Sequence, residues 1–310
     1  MSRNLISICV PAYKKPDYIK RLLDSVLKQS IKDVEIIISD DTPDDSVKLI
    51  VSSYTDLLNI KYFQNKPPLQ SPKNWNNALN KAEGDFYMLL HQDDWLHNEN
   101  ALAIYLETFK QHPEVDFAFC KNTAIDESGK SFVLQEIPSL LHQLEKKPNH
   151  LVRSDVIGPP SNVMLRKKAD TRYDERLIWL VDVDYYVRVL KSGFKPYYIA
   201  QHLVNIGLHA DQTTVYVNDN SSIILKENIL FAQKITAEAF NDIYIYDYYW
   251  RLLRNHKVKN KVQILESGVS EDFVLPVIDH IISLQNKVST KLLKFGPISK
   301  ILMFFSYCTK

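Results

Sequence analysis

Apolar residues recur along the first two hundred positions with two alternating periods. Leu5 to Val10 alternates Ile6, Ile8 and Val10 with smaller residues and stops at Pro11, the pattern of a strand leaving a sheet. From Pro16 the period changes. Ile19, Leu22, Leu23, Val26 and Leu27 fall at i, i+3, i+4, i+7 and i+8, with Lys20, Arg21, Asp24 and Lys28 between them, which predicts an amphipathic helix opened by a proline. Val34 to Ser39 is a β-branched run that predicts a second strand and leads straight into Asp40 and Asp41. A helix from about Asp45 to Tyr54, a strand near Ile60 to Phe63, a helix from about Pro72 to Lys81 and a strand over Phe86 to Leu90 follow. This alternation predicts an α/β domain, a parallel sheet covered by helices.

The pattern continues less regularly. A helix opens at Asn98 or Glu99 and runs to about Gln111, Phe117 to Cys120 begins another strand, and Asp126 to Gly129 is a turn. Residues 136–160 carry Pro138, Pro148, Pro159 and Pro160 and predict a long irregular loop, of the kind that covers substrates. Asn162 to Arg166 returns to the sheet, and Leu203 to His209 reads as its last strand. Between them Val183, Tyr186, Val187 and Leu190 mark the apolar side of a helix that Asp182 opens and Gly193 ends. Asp182 and Asp184 diverge by about 200° around that helix, so only one of them can face a shared pocket.

From about Ser221 to Gln285 the spacing is helical, and the aromatic run Asn241 to Trp250 reads as helix packing. These breaks divide the chain into a body over 1–215 and a helical extension over 216–310. Within the extension, residues 288–310 interleave lysines with Leu292, Leu293, Phe295, Ile298, Ile301, Leu302, Phe304 and Phe305 around a break at Gly296-Pro297. Two readings fit that stretch: an interfacial amphipathic helix on a membrane, or a helix docked on the protein's own core.

Composition narrows the chemistry. With 38 Lys and Arg against 37 Asp and Glu the formal charge is +1, which gives no electrostatic case for a nucleic-acid partner. Cys9, Cys120 and Cys308 are too few and too scattered for a disulfide framework or a zinc site, and they suit a reducing, cytoplasmic compartment. The run from Leu5 to Val10 is too short for a signal peptide, and no apolar run has the length of a bilayer span.

The chemistry-bearing residues sit where strands end. Pro11 and Tyr13 follow the first strand, Asp40 and Asp41 the second, and Asp93 and Asp94 the strand at Phe86, while Asp182 opens a helix. Open α/β sheets place ligands at the carboxyl ends of their strands. Adjacent carboxylates there can divide their work, one ligating a hard cation and the other accepting from a sugar hydroxyl. In order and spacing these pieces, together with Asn74-Trp-Asn-Asn-Ala-Leu-Asn-Lys-Ala-Glu-Gly and Leu-Leu-His-Gln-Asp-Asp, resemble glycosyltransferase family 2 over roughly Leu5 to Thr213.

The resemblance implies a GT-A fold and an inverting transfer from a nucleotide-diphosphate sugar, most readily a UDP-sugar, with Mn2+ or Mg2+ as cofactor. It implies that Pro11 and Tyr13 flank base and ribose, Asp41 bonds the base, Asn76 helps bind the nucleotide-sugar, Asp93 contacts ribose or sugar, Asp94 and His209 hold the metal, and Asp182 is the general base. The acceptor would be a glycan or lipid-linked oligosaccharide of surface polysaccharide synthesis, met at the cytoplasmic face of the membrane. Three positions depart from the family pattern: Lys14 stands in place of an asparagine, His91 in place of a further aspartate, and Val181 in place of an acid before Asp182. Trp95, Trp179 and Tyr185 are candidates to stack on a sugar.

Two other readings compete. A sugar-phosphate nucleotidyltransferase needs a glycine-rich phosphate loop after the first strand, and Val10-Pro-Ala-Tyr-Lys-Lys-Pro has no glycine. A non-catalytic carbohydrate-binding protein on the same fold has no need of Asp41, Asp93, Asp94 and Asp182 together.

Overall fold

Strand β1 (Ile6–Ala12) is buried at every position, so Ser7 and Cys9 are as enclosed as Ile6, Ile8 and Val10. Helices cover both faces of a central parallel strand, which is why strict alternation is not required there. The computed structural model describes residues 5–133, 141–166, 172–218 and 220–310, and of Asn122, Val215 and Asn218 the backbone only. Positions 136–140 of the expected loop lie outside the described residues, and its remainder contains short 3-10 turns at Pro148–Val152 and Pro160–Asn162.

The described residues form two units. The first comprises residues 1–148, 155–176 and 181–210, within those limits. After β1 come α1 (Pro16–Leu27), β2 (Val34–Asp40), α2 (Ser46–Ser52), β3 (Ile60–Gln64), α3 (Lys73–Leu79), β4 (Phe86–Leu89), β5 (Trp95–Leu96), α4 (Ala101–Gln111), β6 (Phe117–Asp126), β7 (Ser131–Val133), β8 (Val163–Arg166), α5 (Val181–Lys191) and β9 (Pro196–Leu208). The sheet runs β3-β2-β1-β4-β8-β6-β9-β5, with β7 paired to β6. Helix α1 buries Ile19, Leu22, Leu23 and Val26, the stripe its spacing predicts.

Three strands depart from the parallel expectation: β5 and β7 pair antiparallel with β9 and β6, and β8 is reversed inside the sheet. β8 lies antiparallel between β4 and β6, while β6 and β9 are parallel to each other. An antiparallel strand begins at the edge where its neighbours end. The start of β8 therefore lies beside the carboxyl end of β4, where Met88 pairs with Met164, and this places Ser161 against the turn that leaves β4.

The second unit comprises residues 149–154, 177–180 and 211–310 within the described set. It contains α6 (Thr213–Asn218), α7 (Ser221–Ile235), α8 (Ile243–Asn255), α9 (Lys261–Leu265), α10 (Pro276–Asn286), α11 (Thr290–Lys294) and α12 (Gly296–Cys308). The aromatic run packs as expected: Tyr246, Tyr249 and Trp250 are buried on α8. Buried Glu227 of α7 accepts the backbone N–H groups of Ile178, Trp179 and Leu180 at 2.7 to 2.8 Å, which satisfies donors that a turn leaves open. No helix among the described residues is long and apolar enough to cross a membrane.

Candidate active site

β4 delivers a tight turn, His91 to Asp94, closed by the Asp94 N–H on the His91 carbonyl at 3.0 Å. Ser161, immediately before β8, accepts the His91 N–H at 3.0 Å and bonds the Asp94 carboxyl through its hydroxyl. From the end of β9, the Gly207 N–H donates to Asp94 Oδ1 at 3.0 Å, and His209 Nε2 meets Asp93 Oδ2 at 2.9 Å. Glycine is required at 207. A Cβ there would lie 2.3 Å from the Asp93 carbonyl oxygen, a backbone atom that cannot yield. Arg21 of α1 donates to that same carbonyl at 2.6 Å and lays its guanidinium 3.8 Å over the Trp95 ring.

Electrostatics separate the two acids. Burial pushes the Asp94 carboxyl well above its ordinary value, and the neighbouring charge of Asp93 pushes the same way against the bonds from Ser161 and Gly207. Burial also opposes the Asp93 charge, but the His209 hydrogen bond prevails and holds its carboxyl below the usual range. Burial lowers the His91 imidazole, so it is neutral at pH 7.

The donor set fits a divalent cation. One ligand atom each from His91, Asp93 and Asp94 lies within 4.8 Å of the others, and His91 Nε2 and His209 Nδ1 are buried without a partner among the described residues. Orphaned buried nitrogens cost about 1–3 kcal/mol each, and two acids held together in low dielectric repel. A cation relieves both.

The nucleotide-side candidates lie at the ends of β1 and β2. Pro11 is buried within β1, whereas the Tyr13 side chain is exposed and its backbone is gripped from both sides by Gln92, at 2.9 and 3.1 Å. Lys14 and Lys15 follow with φ of 56° and 53°, a left-handed turn that asparagine adopts more easily than lysine. Asp41 is buried, and its carboxylate accepts from Asn65 Nδ2 and the N–H groups of Leu69 and Gln70 at 2.8 to 2.9 Å. A carboxylate offers about four acceptor positions, so roughly one remains. Asn76 clamps Tyr173, donating to its carbonyl and accepting its N–H at 2.9 Å each, and reaches Glu175.

Asp182 opens α5, and its Oδ1 accepts the Val183 N–H at 2.8 Å. Asp184 is fully buried and paired with Arg188 at 2.9 Å, so the two acids part as the helical spacing requires. The charge facing Asp182 is Asp155, whose carboxyl accepts the Ile157 and Gly158 N–H groups. Burial and the charge of Asp182 push Asp155 up to about 8, so it keeps its proton at neutral pH.

A stability profile follows from that shift. The folded value lies above the unfolded one of about 3.9, so the stabilisation is complete below about pH 4 and is lost as pH rises through about 8. Asp155→Asn removes this loss. The variant is expected to be more stable than the parent at pH 8.5, by up to about 5 kcal/mol, and no more stable at pH 4, as read by urea titration at both values.

Of the stacking candidates, Tyr185 is core, enclosed and stacked on Tyr173 at 4.3 Å, and Trp95 carries Arg21 on its face. Sequence reasoning did not select His91, Ser161, Arg21 or Asp155. His91 carried a signal, since it stands two positions before Asp93; the other three are named by contacts between residues 27 to 72 positions apart, which no local pattern records.

The chain matches the family model for glycosyl transferase family 2 over residues 7–173, more than half its length. It belongs to glycosyl transferase family 2. The amylovoran biosynthesis glycosyltransferase AmsB of Erwinia amylovora is 28% identical over 208 residues, covering 64% of this chain and 68% of that one. The poly(ribitol-phosphate) beta-N-acetylglucosaminyltransferase TarS of Staphylococcus aureus is 35% identical over 96 residues, 30% of this chain but only 17% of TarS. The structure of TarS 1–349 with UDP-GlcNAc aligns with a TM-score of 0.62 at 20% identity, covering 98% of this chain and 89% of that one. A mannosyltransferase of Pyrobaculum calidifontis, PcManGT, in complex with GDP-Man and Mn2+, aligns at 0.57 and 13% identity, covering 100% and 87%. The fold of this glycosyltransferase is therefore GT-A, with a mostly parallel mixed sheet and helices at its carboxyl-terminal end.

Proposed function

We propose that this family 2 glycosyltransferase moves a sugar from a nucleotide diphosphate to a glycan or lipid-linked hydroxyl with inversion, using a divalent cation held by Asp94, Asp93, His91 and His209. The observation that carries this reading is the convergence of β4, β8 and β9 on Asp94, which leaves a buried, charge-strained carboxyl beside two unpartnered imidazole nitrogens. Mn2+ or Mg2+ bound there supplies charge neutralisation for the departing diphosphate, worth several kcal/mol.

The chain's own residues do the rest. Tyr13 and Asp41, at the ends of β1 and beyond β2, receive ribose and base, and Asp93, kept ionised by His209, accepts from a sugar or ribose hydroxyl. Asp182 accepts the proton of the acceptor hydroxyl as its oxygen bonds the anomeric carbon and the bond to the diphosphate breaks. One base acting on the acceptor hydroxyl gives a single displacement, hence inversion, whereas a retaining double displacement would need a second carboxylate as nucleophile. Protonated Asp155 sets no second negative charge against Asp182 at neutral pH. A role in surface polysaccharide synthesis is supported by AmsB and TarS.

The deciding experiment is a donor panel of UDP- and GDP-sugars with Mn2+, read by mass spectrometry for released nucleotide diphosphate and for the anomeric configuration of the product. Release from a UDP-sugar with inverted product is expected. Donor binding with no turnover in any pairing, across an acceptor panel of polyprenyl-linked and free oligosaccharides, identifies a non-catalytic binder instead.

A further inference from the structure

Helix α12 is built the wrong way round for a helix that merely packs. Its inward face is Ser299, Met303 and Ser306, all buried. Ser299 Oγ takes the Trp250 indole N–H at 3.1 Å and the Arg254 guanidinium at 2.8 Å; Ser306 Oγ pairs with the Tyr246 hydroxyl at 2.6 Å, and its carbonyl meets His280 Nε2 at 3.0 Å. These partners fix the rotation of the helix. At 100° per residue the opposite face is Ile301, Phe304, Phe305 and Cys308, and the first three are 69%, 55% and 59% exposed. Phe295, at the α11–α12 junction, is exposed as well. The polar contacts are spent on the body of the unit, and the large apolar side chains are turned away from it.

Charge names the occupant. Residues 287–310 contain five lysines and no acid; Lys300 pairs with Asp247 at 2.9 Å and Lys310 donates to the Phe240 carbonyl, which leaves Lys287, Lys291 and Lys294 to face a partner. Lys287, Lys291 and Lys294 are exposed, on and just before α11. An isologous contact with a second copy would set these lysines against themselves. A surface that is both apolar and anionic accepts phenyl rings and ammonium groups together.

We infer that α11 and α12 dock on an anionic lipid bilayer, with Phe295, Ile301, Phe304 and Phe305 entering the acyl boundary and Lys287, Lys291 and Lys294 at the level of the lipid phosphates. The inference does not rest on sugar transfer, because binding is read without donor or acceptor. It goes beyond the sequence pattern, which left a self-docked helix equally open; here the helix docks on α8 and still presents an apolar face.

The test is vesicle flotation of the full chain with phosphatidylcholine alone and with equimolar phosphatidylcholine and phosphatidylglycerol. Binding to the anionic vesicles is expected. Phe304→Ser with Phe305→Ser lowers it about tenfold or more. Lys291→Ala with Lys294→Ala lowers it about 30-fold, at roughly fivefold per lysine near an anionic surface, and leaves the residual binding to neutral vesicles unchanged. All four positions are exposed, so thermal midpoints should not move. The inference is overturned if the parent protein does not float with anionic vesicles, if the phenylalanine pair has no effect, or if sedimentation velocity shows a dimer that the phenylalanine pair dissolves while lipid binding is absent.

Discussion

Asp94→Asn is expected to lower sugar transfer by about 10³-fold, the kinetic equivalent of losing several kcal/mol of stabilisation of the leaving group. The same change is expected to raise the thermal midpoint of metal-free protein. Asp94 is buried against Asp93 with its carboxyl pushed well above the ordinary range, so the parent chain gives up stability at neutral pH to keep two acids together. Asparagine keeps an oxygen for the Gly207 N–H and removes the repulsion. Mn2+ should stabilise the parent as RT ln(1 + [L]/Kd) and lose this effect on the variant. Gain in stability together with loss of both activity and metal-dependent melting is a combination that a residue with a purely architectural role does not produce. Unchanged turnover with an unchanged Mn2+ effect on melting would remove Asp94 from the metal site.

Asp182→Asn is expected to lower kcat by about 10²–10⁴-fold with donor affinity unaltered, because a general base acts on the acceptor and not on the nucleotide. Asparagine still accepts the Val183 N–H, so the start of α5 is preserved. The pH profile supplies the discriminating readout. In the parent, kcat should fall at low pH as the base protonates; in the variant that limb should disappear and leave a flat residual rate. A variant that keeps the parent's acid limb places the proton acceptor elsewhere.

Much of the first unit was legible because its elements advertise themselves locally. The stripe of α1 and the acids after β2 and β4 need only a period and a neighbour to be read. Strand direction is different. Val163–Arg166 is a four-residue apolar run that reads the same in either orientation, and only pairing with β4 and β6 reveals that it runs backwards. The same blindness hid Ser161 and Asp155, whose significance lies wholly in what stands opposite them. His91 was visible as a departure from a pattern, yet its unpartnered ring nitrogen belongs to three dimensions. At Asp184 elementary helix geometry sufficed: two acids two positions apart diverge, and one of them pairs with Arg188. The roles of Asp41 and Asn76 were read from motif position alone, while their hydrogen bonds organise the loops at 65–70 and 173–175.

The reversed β8 also dictates when the protein can first work. Asp93 and Asp94 are synthesised early, but the groups that orient them arrive more than sixty residues later at Ser161 and more than a hundred later at Gly207 and His209. Contacts of such long sequence separation close late and slowly. A ribosome-bound chain ending before Gly207 therefore holds every acid of the strand-end motif but lacks the Gly207 and His209 contacts that complete its geometry, so the finished acid pair waits for the last strand to be laid in place.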